Sequence, residues 1–220
     1  MATKRGSKSG ESGARRSRGN ASLVVAVVGD GGVGKTCMLL AYMSGKFPTG
    51  HVQGAMDWHS EFDHLTRHPV HLKQDGVEVS MTLVDTVGMD EYQKLREKVC
   101  ASADVFIVCF DVTNPGTLER VKDHWVPEIR SYNASAPFVL VATKVDERIK
   151  AQIEGKPSSA TVSFSHAKSV AQDLNAHTYC ESSARNLTGL KKVFEEAAVA
   201  GLQNALPGSM DGKRDSCVVS

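Results

Sequence analysis

Residues 29–36 read Gly-Asp-Gly-Gly-Val-Gly-Lys-Thr and fit the pattern G-x-x-x-x-G-K-[ST]. Glycines at this density let successive backbone N–H groups curl around an anion with no Cβ in the way. Lys35 carries the charge that would neutralise the β- and γ-phosphates of a nucleotide, and the Thr36 hydroxyl is a hard oxygen suited to Mg²⁺. Asp30, Gly31, Gly32, Val33, Gly34 and Cys37 belong to the same candidate phosphate loop. A glycine-rich turn without chemistry is the plain alternative. It loses because an apolar β-branched run, Leu23–Val28, precedes the loop and a helical pattern follows it. The expectation is a nucleoside di- or triphosphate.

A second cluster would choose the base. Thr143-Lys144-Val145-Asp146 follows another short apolar run. The Asp146 carboxylate can accept from both the N1–H and the N2 amino group of guanine. Adenine offers neither, so a carboxylate at this point selects guanine. The alkyl stem of Lys144 is suited to lie over the ring face. A lone T-K-x-D is a weak signal, but its place downstream of Lys35 and ahead of Ser182-Ser183-Ala184 gives it weight. An ATP-using nucleotide kinase shares the phosphate loop. It needs an arginine-rich lid and an adenine pocket, which the sequence does not offer.

Such residues work only if a scaffold brings them together. Leu23–Val28, Val105–Phe110 and Phe138–Ala142 are continuous apolar runs, as in parallel strands covered on both faces. Val77–Val84 alternates as a half-buried strand does, and Thr178–Glu181 reads as a short strand. Helical patterns run over residues 36–44, Asp90–Cys100, Thr117–Ser131, Ser165–Asn175 and Leu187–Leu206, with Pro127 expected to kink or interrupt the third. The alternation predicts an α/β, three-layer fold of the P-loop type, with about six mostly parallel strands and helices on both faces. Ligands of such sheets sit outside the carboxyl ends of the strands. The loops after Val28, Val84, Ala142 and Glu181 should therefore converge on one site. The domain is expected over residues 21–206, between a basic tail, 1–20, and a flexible C-terminal tail, 207–220.

With these motifs in place, the chain resembles a Ras-superfamily small GTPase over residues 22–220 and is most similar to the Rho family. The Rho-like marks are Gly-Asp-Gly at 29–31, threonine rather than asparagine at 143, Trp125-Val-Pro-Glu128, and a polar insert near 147–163. The resemblance implies a GTP/GDP-binding, Mg²⁺-dependent switch in signal transduction that hydrolyses GTP to GDP and phosphate. It implies that Asp85-Thr86-Val87-Gly88 senses the γ-phosphate and that Thr36 and Asp85 serve the metal. Phe47 would pack on the guanine, and Ala184 would donate its backbone N–H to the base O6, with Ser183 and Arg185 beside it. Read from the residues alone, Phe47 as ordinary core and Ser183 as an ordinary turn residue stay open. Effectors and exchange factors are expected at residues 47–71 and 85–98, and the chain is expected to be a monomer.

Three departures cluster on the γ-phosphate side. Met89 stands where the family has the glutamine that orients the attacking water, and a thioether has no proton to donate. Val87 replaces an alanine and adds bulk. An ungapped count from Thr36 puts Gly54 where the family has a metal-binding threonine; Thr66 is the alternative if the extra residues around Trp58–Arg67 fall earlier. No catalytic residue is therefore assigned. Hydrolysis is expected to be weak, leaving the protein GTP-loaded and controlled by abundance, exchange or location. A non-hydrolysing, constitutively GTP-bound interaction module is the alternative. His51, His59, His64, His68 and His71 crowd the same stretch. His64 and His68 would share a helix face and could ligate a metal, though incidental histidines in a polar insertion are the favoured reading.

Composition excludes other classes. Hydrophobic residues make up 41% and charged residues 23% of 220, which argues against wholesale disorder. No apolar run approaches the roughly 18 residues that span a bilayer, and no signal peptide is expected, so the protein is expected in the cytoplasm. Five cysteines without a C-x-x-C pair make neither a disulfide framework nor a zinc site. Cys37, Cys109 and Cys180 are expected to be buried. Residues 1–20 carry six basic side chains against Glu11 alone, while the whole chain carries +1. The chain ends Cys217-Val218-Val219-Ser220, a pattern that favours farnesylation at Cys217. Stable anchoring takes a second signal, which the basic tail would supply at the cytoplasmic face, most simply of the plasma membrane. No nucleic-acid partner is expected.

Overall fold

The computed structural model describes residues 20–49, 67–74, 76–89, 93–157 and 161–205. In chain order the elements are β1 (Asn20–Val28), α1 (Lys35–Ser44), β2 (Arg67–Gln74), β3 (Val77–Asp85), α2 (Gln93–Ala101) and β4 (Val105–Asp111). Then come α3 (Pro115–Arg120), a π-helical turn (Val121–Trp125), α4 (Val126–Tyr132), β5 (Phe138–Thr143), α5 (Val145–Ile153), α6 (Phe164–Asp173), β6 (Thr178–Glu181) and α7 (Leu190–Ala205). Among the described residues six strands form one sheet in the order β2-β3-β1-β4-β5-β6. β2 runs antiparallel to β3, and every other pairing is parallel.

Period-two alternation splits the core in two. Leu23, Val25 and Val27 of β1 and Val105, Ile107 and Cys109 of β4 face α1 and α7, meeting Met38, Leu39, Val193 and Phe194. Ala26, Val28, Phe106, Val108 and Phe110 face the other way, against Trp125, Ile129, Ala167 and Val170. Every residue of β4 and β5 is buried. That is why these segments read as continuous apolar runs. The layered α/β architecture is the one the sequence implies.

Several boundaries differ from expectation. β1 starts at Asn20, paired with Glu78, so the last residue assigned to the basic tail is already sheet. β2 was not expected as a strand, because Pro69 and four basic or histidine side chains mask its pattern. Proline is tolerated there because the strand lies at the sheet edge. Among its described side chains Val70 and Leu72, two apart, pack on the core. His68 pairs with Leu83 within this strand. His68 therefore lies on a strand and not on a helix, and His64 lies outside the described residues.

The helical stretch over Thr117–Ser131 is interrupted near Pro127, as expected. The irregularity falls just before it, where the N–H of Val126 reaches Val121 O and the backbone widens into the π-turn. α4 then starts afresh with proline in its first turn, where a missing N–H costs nothing. The closing helix begins at Leu190 rather than Leu187, since Leu187 and Gly189 both take left-handed φ values. α6 ends at Asp173 with Asn175 left-handed beyond it. α5, Val145–Ile153, starts within the base loop and takes in the first part of the polar insert.

Candidate functional site

The loop between β1 and α1 leaves the sheet at Gly29, whose φ is +138°. A Cβ there would collide with the carbonyl oxygen of Cys109 on β4, so only glycine lets the chain pass. Gly32 and Gly34 also take positive φ, whereas a Cβ on Gly31 or Gly32 would meet nothing within 4 Å. The loop thus shows backbone to open space and runs into the N-terminus of α1, a setting that favours an anion. Lys35 opens that helix and is 6% exposed. Its Nζ donates to the carbonyl oxygens of Gly29 at 2.7 Å and Asp30 at 2.8 Å. An ammonium has three donors, so these carbonyls orient it without exhausting it. Burial pushes the Lys35 ammonium below its usual value, with Asp85 acting in the opposite sense. A buried cation of this kind gains from a bound polyanion.

Asp85 ends β3 and meets α1 at the mouth of the loop. The Thr36 hydroxyl donates to Asp85 Oδ2 at 2.6 Å, placing two hard oxygens side by side, the donor set a magnesium ion takes. The Thr86 hydroxyl donates to Val27 O at 2.7 Å and ties this corner to β1.

The residues that the sequence assigns to the base gather on the far side of the phosphate loop. A cleft of about 220 Å³ is lined by Gly34, Cys37, Met38, Phe47, Thr143, Lys144, Asp146, Glu147, Ser182, Ala184 and Arg185. Thr143 Oγ1 lies 2.6 Å from Val33 O and 2.9 Å from Phe110 O, which fastens β5 to the phosphate loop. Lys144 sits at φ +57°, and this left-handed turn sends its side chain across the phosphate loop to Gly32 O, 2.8 Å away. Its Nζ also pairs with Asp111 Oδ2 at 2.6 Å. Held at the tip, the stem is left as a wall of the cleft. Phe47 is 37% exposed and lines this cleft, so it is not core. The Arg185 guanidinium stands 5.7 Å from its ring centroid. Ser183 is both turn residue and orienter. It accepts from the Asn186 N–H at 3.1 Å and donates to Asp146 Oδ1 at 2.5 Å. Cys109 and Cys180 are buried as expected, but Cys37 is only half-buried because it lines the cleft.

On the γ-phosphate side Val87 is buried yet belongs to neither core cluster, and Met89 is 43% exposed. Gly88 lies between them. A Cβ on it would strike Gly29 O and come within 2.5 Å of the Asp30 carbonyl carbon and Gly31 nitrogen. The loop is thus flush against the phosphate loop.

Sequence reasoning missed three contributors. Asp111 fixes Lys144 and could have been found as a carboxylate at the carboxyl end of a buried strand. Asp30 serves through its side chain as well as its backbone: Trp125 Nε1 and Arg120 Nε each donate to Asp30 Oδ1 at 2.7 Å. Arg96 and Glu128 form a buried pair, for which no spacing in the chain gives a signal. Gly54, Thr66, His51, His59, His64, residues 1–19 and Cys217 lie outside the described residues. Among the described residues no cluster of three His, Cys, Asp or Glu could hold a metal, and no helix is long and apolar enough to cross a membrane.

The family model of the Ras family matches residues 24–203. That match spans more than half of the chain and takes in the phosphate loop, the 85–89 loop and both base loops, and the chain accordingly belongs to the Ras family of small GTPases.

Proposed function

We propose that this chain is a Rho-like, GTP- and GDP-binding switch, dependent on Mg²⁺, in which GTP hydrolysis is weakened by Met89 and Val87. Ras-family GTPases bind GTP and GDP, usually with Mg²⁺. The observation that carries the guanine reading is Asp146, a carboxylate in the cleft wall held by Ser183. Lys144 and Phe47 are the walls for the ring, and Ala184 and Arg185 close the site. Asp30, Gly31, Gly32, Val33, Gly34, Lys35, Thr36 and Cys37 receive the phosphates, with Asp85 and Gly88 at the γ position. Thr36 and Asp85 would hold the metal, which when bound neutralises phosphate charge.

The Rho-like assignment is supported by the hydrogen bond from Trp125 to Asp30, because it makes one structural unit of two Rho-like motifs. Weak hydrolysis is supported by the side chain at 89. Ordinary members hydrolyse GTP unaided on the order of 10⁻⁴ s⁻¹, with an amide orienting the water. Met89 has no donor to do so.

Nucleotide released by denaturing protein purified from cells in Mg²⁺ buffer tests this reading. Mostly GTP is the expected result; mostly GDP would mean that hydrolysis survives. Single-turnover hydrolysis at the ordinary rate would overturn the weakened-hydrolysis reading. The exposure of Met89 favours a second reading, a GTP-bound interaction module without turnover. No hydrolysis even over days would select it. Farnesylation at Cys217, attraction of the basic tail to anionic lipid, and residence at the cytoplasmic face of the plasma membrane complete the proposal. Effectors and exchange factors would engage residues 47–71 and 85–98 of a monomer, in cytoskeletal or membrane-associated signalling.

A further inference from the structure

We infer that Arg96 is a positioning residue that sets the γ-phosphate-sensing loop from the protein side, through a buried link to the same helical segment that holds the phosphate loop. The inference rests on the guanine-switch reading. Arg96 is a charged side chain 1% exposed, on α2. Its Nη1 donates to Val87 O at 2.9 Å and Met89 O at 2.5 Å, bracketing Gly88. Its Nε and Nη2 donate to the two oxygens of Glu128 at 2.8 and 3.0 Å. The guanidinium carbon stands 4.9 Å from the Trp125 ring centroid. Trp125 in turn donates to Asp30 of the phosphate loop.

One planar cation therefore grips the two carbonyls flanking Gly88 with one edge and a carboxylate with the other. A lysine cannot reproduce that fork, because its charge is a point with no fixed plane. The π-turn contributes directly, since Trp125 ends it and Glu128 follows in the first turn of α4. Asp30 and Gly88 are thereby referred to one rigid segment, and Gly88 is flush with the Gly29–Gly31 backbone. A loop preset in this way need not be ordered at the moment a triphosphate arrives, so the ordering cost falls on folding rather than on binding. On the guanine-switch reading Gly88 serves the γ-phosphate, which a diphosphate lacks. Losing Arg96 should therefore weaken binding of a triphosphate and spare a diphosphate.

The test measures affinity for GDP and for a non-hydrolysable GTP analogue, in Mg²⁺, on full-length protein. Arg96→Lys is one variant. The double variant Arg96→Met with Glu128→Leu is the second, since removing both charges avoids leaving Glu128 buried and unpaired. The expected result is a fall of about tenfold in the ratio of GTP-analogue to GDP affinity, within the usual range of coupling between sites. GDP affinity should be unchanged. A purely structural role for Arg96 would lower both affinities together and overturn the inference, as would either folded variant with the wild-type ratio. Wild-type protein that binds neither nucleotide would instead remove the guanine-switch reading on which the inference rests.

Discussion

The two ends of the nucleotide cleft are built with different strictness. At the base end, each residue proposed to read guanine is fixed by a neighbour from another element: Asp146 by Ser183, Lys144 by Asp111, Thr143 by Val33. At the proposed γ-phosphate end, Met89 and Val87 bring no side-chain donor, while the backbone around them is held as firmly, by Arg96. Recognition of the base needs side-chain donors and acceptors, whereas sensing a phosphate needs backbone N–H groups in the right place. A chain can therefore give up the amide that orients water and still keep the loop that detects the triphosphate. Binding and turnover are separable in this architecture, and the proposed function has them separated at Met89.

The sharpest way to break the contrast is at the base. Asp146→Ala removes two charge-assisted hydrogen bonds to guanine and should lower affinity for GDP and GTP analogue alike by about a hundredfold. Displacement of a fluorescent guanine nucleotide measures it. A loss confined to one nucleotide would show that the base end is not independent of the γ end. Gly88→Ala strikes the other end. Its methyl would press on the Gly29–Gly31 backbone and push the loop outward. The GTP analogue should bind about tenfold more weakly, in the usual range for coupled sites, and GDP should bind unchanged. Equal weakening of both, in the same displacement assay, would mean that the two loops move as one body.

Alkaline pH bears least on the contrast, because it acts on both ends. Burial pushes the thiols of Cys100 and Cys109 up to about 12 and that of Cys180 up to about 11. Cys109 lies beneath the phosphate loop, and Cys180 precedes the Ser182–Ala184 base loop. In the unfolded chain these thiols ionise near about 8.5, so above that pH the unfolded state releases protons that the folded state retains. The stabilisation is full below about pH 8.5 and is lost as pH rises toward the folded values. Urea midpoints should fall between pH 8 and pH 10 with the ratio of GTP-analogue to GDP affinity unaltered. A constant midpoint would count against protonated, buried thiols.

Much of the fold was legible because β4 and β5 are buried on both faces and therefore read as unbroken apolar runs. β2 was not, since an edge strand needs only Val70 and Leu72 turned inward and can carry proline and charge elsewhere. The phosphate loop and T-K-x-D were legible because their chemistry is local: glycine spacing, a lysine and a threonine in one turn, a carboxylate in the next motif. Phe47 could not be assigned by type, because an aromatic residue serves equally well as core or as a wall.

What the sequence alone determined is the chemistry that each loop side chain can offer, including the lack of a hydrogen-bond donor at Met89, since an absent donor is absent in any fold. Only tertiary structure decided what holds those groups. Asp30 finds Trp125, Lys144 finds Asp111, and Arg96 finds Glu128 and the two carbonyls around Gly88 across separations that no period in the chain encodes. The reason is that hydrogen-bond partners are chosen by proximity after the sheet has assembled, whereas the strands and helices that build the sheet are chosen by patterns already present along the chain.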